Sequence, residues 1–172
     1  MKNQQGLMKK TQVQSEFIEY DSIDELTVED KKLADEARKS AANAYAPYSH
    51  FHVGAAVLLE NGVTVLGNNQ ENASYPIGLC AERVAVFSAG ANYPGIKIKS
   101  IAITASSKDF LIDQPVAPCG ACRQAIAEYE HRDKHPIRLI LFGEAGKVLV
   151  SESIKNFLPY MFDGDNLKAK KI

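Results

Sequence analysis

The sequence lacks tryptophan, has only three cysteines and contains no long apolar run. An apolar stretch that crosses a bilayer needs about 20 residues, so we do not expect a membrane protein. The first residues are polar and show no apolar core of the kind found in signal peptides. A low, odd number of cysteines argues against the disulfide framework of a small secreted protein. Together these absences predict a cytoplasmic protein with reduced thiols.

An excess of charge of one sign is also absent. Twenty Lys and Arg residues are balanced by 21 Asp and Glu residues, which leaves a formal net charge of −1. Proteins that bind nucleic acid or anionic membranes electrostatically carry a basic excess or patch. The balance therefore favours a small-molecule ligand, and we expect neither nucleic acid nor a membrane as a partner. A length of 172 residues fits one domain with a sizeable core.

The pattern of apolar residues divides the chain into an extension and one domain. Residues 1–27 are mostly polar and predict a poorly ordered extension or a short strand near Phe17, Ile18 and Tyr20. Residues 28–172 form the domain. Helices are predicted at 28–44, 80–91 and 119–130, with a last helical turn at 153–158, and strands at 53–59, 63–66, 98–105, 137–142 and 148–150. Strands that alternate with helices predict an α/β sheet covered on both faces.

All three cysteines lie where predicted helices begin. Cys80 precedes the second helix, and Cys119 and Cys122 are spaced so that both side chains can face one point from the first turn of the third. Helix N-termini lower the pKa of a thiol, which favours the thiolate that binds metal. Three thiolates predict a zinc site with one tetrahedral position open, as in catalytic zinc sites. The four histidines show no metal-ligand spacing and are not expected to bind the ion: His50, His52, His131 and His135.

A carboxylate follows the first cysteine closely. Glu82 lies two residues after Cys80, so it can sit beside a metal-bound water and carry protons during a reaction. Taken alone, Cys119 and Cys122 are as typical of a redox dithiol as of a metal pair. Cys80 alone is more typical of a core position and Glu82 alone of a solvated helix surface. The combined spacing favours a catalytic metal site, and a structural zinc module would need a fourth ligand that the sequence does not offer.

Two motifs together resemble the small cytidine deaminases that bind zinc through three cysteines. They are Cys80-Ala81-Glu82-Arg83 and Pro118-Cys119-Gly120-Ala121-Cys122-Arg123-Gln124, and the resemblance extends over about residues 30–167. It includes the segments Tyr48–Phe51, Val53–Ala56, Asn69–Ala73 and Tyr75-Pro76. The resemblance implies a three-layer α-β-α sandwich with a five-stranded mixed sheet, and a homotetramer.

The same resemblance implies a reaction. Cytidine and deoxycytidine would be hydrolysed to uridine and deoxyuridine plus ammonia, in pyrimidine salvage, with one Zn²⁺ per chain. Zinc-bound hydroxide would attack C4 of cytosine, and Glu82 would protonate N3 and then the leaving ammonia. A nucleoside antibiotic that carries cytosine, as in the blasticidin-type deaminases, remains an alternative substrate.

The resemblance also implies substrate contacts. Phe51 would pack against the pyrimidine, Asn69 and Glu71 would bind the ribose hydroxyls, and the backbone near Ala81 would read the edge of the base. Phe162 would reach into the site of a neighbouring subunit. Each of these residues alone has a simpler interpretation: a core ring for Phe51, loop polarity for Asn69 and Glu71, and an anchor of the tail for Phe162.

Two arginines adjacent to the ligands carry a further hypothesis. Three thiolates and Zn²⁺ sum to a charge of −1, so guanidinium groups of Arg83 and Arg123 that donate to the sulfurs would restore the acidity of the metal. Ordinary surface ion pairs are the alternative for both. His52 and the loop at 106–116 depart from the pattern of many relatives, which leaves their effect on the substrate open.

Overall fold

A mixed six-stranded sheet forms the centre of the computed structural model, which describes residues 9–167. Its strands are β1 (Ile18–Tyr20), β2 (Phe51–Leu59), β3 (Thr64–Asn68), β4 (Ile98–Ser107), β5 (Arg138–Phe142) and β6 (Val148–Ser151). Their order across the sheet is β1-β6-β5-β4-β2-β3. β4 and β5 pair in parallel, and the other neighbours are antiparallel. The parts of the predicted extension and domain at residues 1–8 and 168–172 lie outside the described residues.

The prediction of five strands is wrong, because β1 adds a sixth. β1 pairs with β6 in antiparallel register, with Ile18 opposite Val150 and Tyr20 opposite Val148. It thereby supplies backbone partners to β6, which would otherwise end the sheet. A strand of three largely exposed residues carries too short a pattern to reveal its pairing in the sequence.

Three helices cover the sheet: α1 (Val28–Ala41), α2 (Ala81–Asn92) and α3 (Gly120–Asp133). The side chain of Thr27 caps α1 by accepting a hydrogen bond from the backbone N–H of Asp30 at 3.1 Å. α1 ends three residues before the predicted position 44. Short 3₁₀ turns lie at Ile23–Glu25, Tyr75–Ile77, Ile154–Asn156 and Gly164–Leu167.

The helices lie on both faces of the sheet, as the alternation of elements predicts. On one face, Leu33, Ala34 and Ala37 of α1 pack with buried residues of β2, β4, β5 and β6. On the other face, buried residues of α2 and α3 pack on the alternate residues of β2, β4 and β5. Because successive side chains of a strand point to opposite faces, each of these strands contains a run of consecutive apolar residues, at 55–59, 101–103 and 139–142. In the described part of the chain, no helix combines the length and apolar composition that crossing a membrane requires.

Two glycines allow the helices to approach the sheet closely. A Cβ atom at Gly67 of β3 would lie 2.4 Å from the carbonyl oxygen of Ala81 and 2.5 Å from the nitrogen of Ala85. A Cβ atom at Gly54 of β2 would lie 2.1 Å from the carbonyl oxygen of Ala37 in α1. No side chain fits at either position. Gly67 therefore fixes how near the first turn of α2 lies to the sheet, and this turn carries site residues.

Candidate active site

The sulfur atoms of the three cysteines meet where α2 and α3 begin. Cys80 and Cys119 are the N-cap residues of the two helices, and Cys122 lies in the first turn of α3. The sulfur of Cys119 lies 3.8 Å from that of Cys80 and 3.4 Å from that of Cys122, and all three lie within 4.8 Å of one another. A tetrahedral ion with Zn–S bonds of about 2.3 Å needs sulfur atoms about 3.8 Å apart. The donor set and its spacing therefore fit Zn²⁺.

Electrostatics at the cysteines favours metal binding as well. The hydrogen bond with Cys122 lowers the pKa of Cys80 to about 5, and the guanidinium of Arg83 contributes to the same shift. The shared contact and burial raise the pKa of Cys122. One thiolate thus forms readily in the protein without metal, and a divalent cation would stabilise the other thiolates.

Glu82 is the second residue of α2, and its side chain is almost fully buried beside the cysteines. Burial raises the pKa of this carboxyl group, and the negative charge that develops on Cys80 raises it further. A carboxyl group whose pKa is moved toward neutrality exchanges protons more readily at physiological pH. Its position next to the sulfurs suits a proton carrier that does not ligate the metal.

A cavity of about 710 Å³ opens in front of the sulfurs. This volume lies within the usual range for small-molecule sites. The cavity brings together six residues that the sequence had singled out: Phe51, Asn69, Glu71, Cys80, Glu82 and Cys119. The lining of the cavity thus combines two thiols and a buried carboxyl group with an aromatic ring, an amide and a second carboxylate.

Asn69 holds the backbone on both sides of His52. Its side-chain oxygen accepts a hydrogen bond from the N–H of Val53 at 2.8 Å, and its side-chain nitrogen donates to the carbonyl of Phe51 at 2.9 Å. The amide keeps one donor hydrogen and one acceptor lone pair for a ligand. Asn69 therefore positions the start of β2 whether or not a ligand is present.

Glu71 holds the preceding loop. It accepts hydrogen bonds from the backbone N–H groups of Tyr48 at 2.9 Å and Ser49 at 3.3 Å, and from the hydroxyl of Ser49. Burial alone would raise the pKa of Glu71, but these three hydrogen bonds lower it below its ordinary value. The carboxylate is therefore ionised over the whole physiological range.

Ser49 is a site residue to which the sequence analysis gave no role. Its hydroxyl oxygen accepts a hydrogen bond from the N–H of Phe51 at 3.1 Å while its hydroxyl donates to Glu71. It connects the ring-bearing residue to the carboxylate across the loop. The available signal was a serine two residues before Phe51, the spacing at which a hydroxyl commonly caps a backbone N–H in a turn.

The two arginines face different partners. A terminal nitrogen of Arg83 lies 3.7 Å from the sulfur of Cys80, and this contact raises the pKa of Arg83. Within the described residues, its buried Nε atom has no hydrogen-bond partner. Arg123 instead donates to the carbonyls of Pro118 at 2.8 Å and Phe157 at 3.2 Å. Arg123 thus supports the segment that leads into Cys119, and any effect on the sulfurs passes through that segment.

The remaining predicted residues lie at the edges of this arrangement. Ala81 is fully buried as the first residue of α2, between Cys80 and Glu82. Phe162 is 60% exposed, and its carbonyl accepts a hydrogen bond from the side chain of Gln124 in α3 at 2.8 Å. Its ring is therefore available to a surface outside its own chain.

Comparisons with known proteins agree with this geometry. Residues 27–135 match the family described as the cytidine and deoxycytidylate deaminase zinc-binding region. The chain is 40% identical over 136 residues to the cytidine deaminase of Halalkalibacterium halodurans, covering 78% of this chain and 95% of that protein. It is 45% identical over 100 residues to the cytidine deaminase of Sporosarcina psychrophila, covering 58% of this chain and 68% of that protein. The crystal structure of cytidine deaminase from Burkholderia pseudomallei superposes with a TM-score of 0.67 at 39% identity, covering 80% of this chain and all of that one.

Proposed function

The chain belongs to the cytidine and deoxycytidylate deaminase family and is a zinc-dependent hydrolase, and from this premise we propose that it converts cytidine and deoxycytidine to uridine and deoxyuridine plus ammonia. One observation carries the proposal: three sulfurs lie at zinc-binding spacing, and two of them, with the buried carboxyl group of Glu82, belong to residues that line a cavity of about 710 Å³. Water is the second reactant, so the hydrolysis exchanges the 4-amino group for oxygen. The products fit a role in pyrimidine salvage.

Cys80, Cys119 and Cys122 would hold one zinc ion, and a set of three protein ligands is typical of catalytic zinc that also binds water. When bound, the ion supplies a Lewis acid that lowers the pKa of water to about 7 and so provides a nucleophile for C4. Glu82 would accept one proton from the attacking water and deliver it to N3 of the ring. It would then take the second proton from the hydroxyl group now on C4 and deliver it to the amine, which leaves as ammonia while the C4 carbonyl forms. The raised pKa of Glu82 supports this role, because the group must both take up and release a proton.

Three other residues that line the cavity, Phe51, Asn69 and Glu71, would bind the nucleoside. The ring of Phe51 lines the cavity and offers a flat apolar face to the pyrimidine. Asn69 retains a donor and an acceptor after its two backbone hydrogen bonds, and Glu71 retains acceptor capacity. These groups suit ribose hydroxyls. Ala81, to which the resemblance assigns the edge of the base, is fully buried between Cys80 and Glu82, and only these two neighbours line the cavity. Arg83, in contact with Cys80, would draw negative charge from the thiolates, and Arg123 would support Cys119 from the preceding carbonyl.

We further propose a cytoplasmic homotetramer in which residues 28–172 form the catalytic domain and residues 1–27 an N-terminal extension. The family match begins at residue 27, at the end of the extension. Tyr160 and Phe162 are 78% and 60% exposed, and clustered exposed aromatic rings favour burial against another subunit. Phe162 would complete a neighbour's site. The near-neutral charge balance favours a nucleoside over a nucleic acid as the substrate.

The decisive experiment incubates metal-analysed protein with cytidine and follows the ultraviolet change on conversion to uridine. We expect about one zinc per chain, rapid conversion by the native protein, and loss of conversion in Glu82→Gln with zinc retained. Bound zinc without conversion of either nucleoside would reject the proposed substrates. Conversion of blasticidin S under those conditions would move the assignment to cytosine-bearing antibiotics.

A further inference from the structure

The segment that follows β4 contacts Phe51, at the start of β2, and the residue before it. The ring of Phe110 stacks on that of Phe51, with centroids 6.4 Å apart and planes inclined by 28°. This is the offset-stacked arrangement that aromatic pairs favour. Phe51 lines the cavity, whereas Phe110 is not among the lining residues and is 57% exposed. Phe110 can therefore affect the cavity only through its contact with Phe51.

Polar contacts fix the segment on the N-terminal side of Phe110. The backbone N–H of Asp109 donates to the hydroxyl of Ser107 at 3.2 Å, at the end of β4. The carboxylate of Asp109 lies 3.3 Å from Nδ1 of His50, the residue immediately before Phe51. His50 has a φ of 53°, a left-handed conformation that is uncommon for a residue with a side chain. Two successive residues, His50 and Phe51, thus contact the two successive residues Asp109 and Phe110.

The C-terminal side of Phe110 is fixed by the core. Ile112 is 8% exposed, and its N–H donates to the carboxylate of Glu144 at 3.0 Å while its carbonyl accepts from the N–H of Glu144 at 2.7 Å. Phe110 consequently lies between two anchored residues. Leu111, which lies between Phe110 and Ile112, is 66% exposed.

Resting on the proposed function, we propose that Phe110 is a positioning residue that holds the ring of Phe51 in the orientation required to pack against the pyrimidine. A half-buried phenylalanine without a stacked neighbour samples several rotamers, and ordering it when the nucleoside binds opposes binding. Stacking on Phe110 orders the ring beforehand. The expected consequence is a lower KM for the nucleoside with little change in kcat, because the contact forms equally in the ground state and the transition state.

Steady-state kinetics with cytidine tests the proposal. Phe110→Ala should raise KM about 2- to 12-fold with kcat unchanged within a factor of two, which is the fold-change that corresponds to a stacked aromatic pair. Phe110→Tyr should restore the native KM, and Leu111→Ala, the matched control on the adjacent exposed residue, should leave both parameters unchanged. In a Phe51→Leu background, Phe110→Ala should have no further effect on KM.

A second readout does not depend on turnover. The chain has no tryptophan, so Phe110→Trp introduces a single indole whose emission reports its surroundings. We expect the product uridine to change this emission, and to leave that of Leu111→Trp unchanged.

The results distinguish a failure of the proposed deaminase function from a failure of the positioning role of Phe110. Failure of the native protein to convert cytidine or deoxycytidine would reject the proposed function, and the role of Phe110 with it. Native turnover with an unchanged KM in Phe110→Ala would reject the positioning role alone. An undiminished effect in the Phe51→Leu background would do the same, because Phe110 would then act on KM independently of Phe51.

Discussion

Adding one methyl group at Gly67 should damage the metal site from the opposite side of α2. In Gly67→Ala, the new Cβ atom would lie 2.4 Å from the carbonyl oxygen of Ala81 and 2.5 Å from the nitrogen of Ala85. Both contacts are with helix backbone, so no side-chain rotation relieves them. The first turn of α2 must move away from the sheet, carrying Glu82 and the adjoining Cys80 with it.

The size of the movement follows from the contact distance. Relief to an ordinary separation of about 3.4 Å requires the helix start to shift by about 1 Å. Overpacking of this kind destabilises a protein by about 1–3 kcal/mol. Zinc sites tolerate ligand displacements of only about 0.2 Å, and a reacting group that is misplaced by about 1 Å loses about 100-fold in rate. We therefore expect Gly67→Ala to weaken zinc binding at least about 10-fold and to reduce kcat about 100-fold.

Gly54→Ala provides the matched control. Gly54 lies on the adjacent strand β2, opposite Asn68, and a Cβ atom there would lie 2.1 Å from the carbonyl oxygen of Ala37 in α1. α1 covers the other face of the sheet and carries none of the cysteines. This variant should lose stability of the same order while retaining zinc affinity.

Urea unfolding of the metal-free proteins measures the first effect, and competition with a chromogenic chelator measures the zinc affinity. The reasoning would be refuted if Gly67→Ala bound zinc as tightly as the native protein. It would also be refuted if Gly54→Ala lost zinc to the same extent, because the effect would then reflect general destabilisation.

Three further predictions concern the metal, a buried acid and the loop. Removal of zinc with a chelator should abolish activity and make Cys80 and Cys119 reactive to Ellman's reagent, and prior addition of zinc should protect them, whereas the buried Cys122 should react only after unfolding. Glu130→Ala should lower the free energy of unfolding by about 2–4 kcal/mol in urea titrations, because the buried carboxylate accepts from the N–H groups of Ile137 and Ile154 and from the hydroxyl of Ser153. Glu71 has a pKa below its ordinary value in the folded state, so its stabilising contribution is present above about pH 4.5 and is lost as the pH falls toward the folded pKa. Thermal unfolding from pH 7 to pH 3 should therefore show a steeper loss for the native protein than for Glu71→Gln, and parallel curves would contradict this.

The fold was predictable where a local sequence pattern specifies a strand or a turn. β2, β4 and β5 each contain a largely buried run of apolar residues, and the turn at Asn61-Gly62 joins β2 to β3 with Gly62 at a φ of 83°. A short strand near Ile18 and Tyr20 was one of the two alternatives predicted for residues 1–27, but the place of β1 in the sheet was not predictable. Its pairing with Val148–Val150 joins residues about 130 positions apart, and its own side chains are largely exposed. What places β1 is the free edge of β6, a property of the assembled sheet.

In the candidate site, too, local motifs were predictable and contacts between distant segments were not. Cys80, Glu82, Cys119 and Cys122 lie in two short motifs, so their spacing alone predicts a shared metal site, and the structure brings the three sulfurs together. The contacts of Ser49 with Glu71 and of Phe110 with Phe51 join segments 22 and 59 residues apart. The first contact depends on how β2 aligns with β3 and the second on how β2 aligns with β4, and no local pattern specifies them.

The site residues are held in two different ways, and substitutions should therefore affect either kcat and zinc affinity or KM. The sulfurs and Glu82 are carried by the first turns of helices packed on the sheet, where a shift of one group moves the whole helix start. Phe51 and Glu71 are held by hydrogen bonds and ring contacts of a partly exposed loop, so the loss of one contact leaves the others in place. Changes that displace the sulfurs or Glu82 should therefore lower kcat and zinc affinity together. Changes that displace Phe51 or Glu71 should raise KM and leave the metal bound, because the binding of the nucleoside and the activation of water depend on separate elements of the fold.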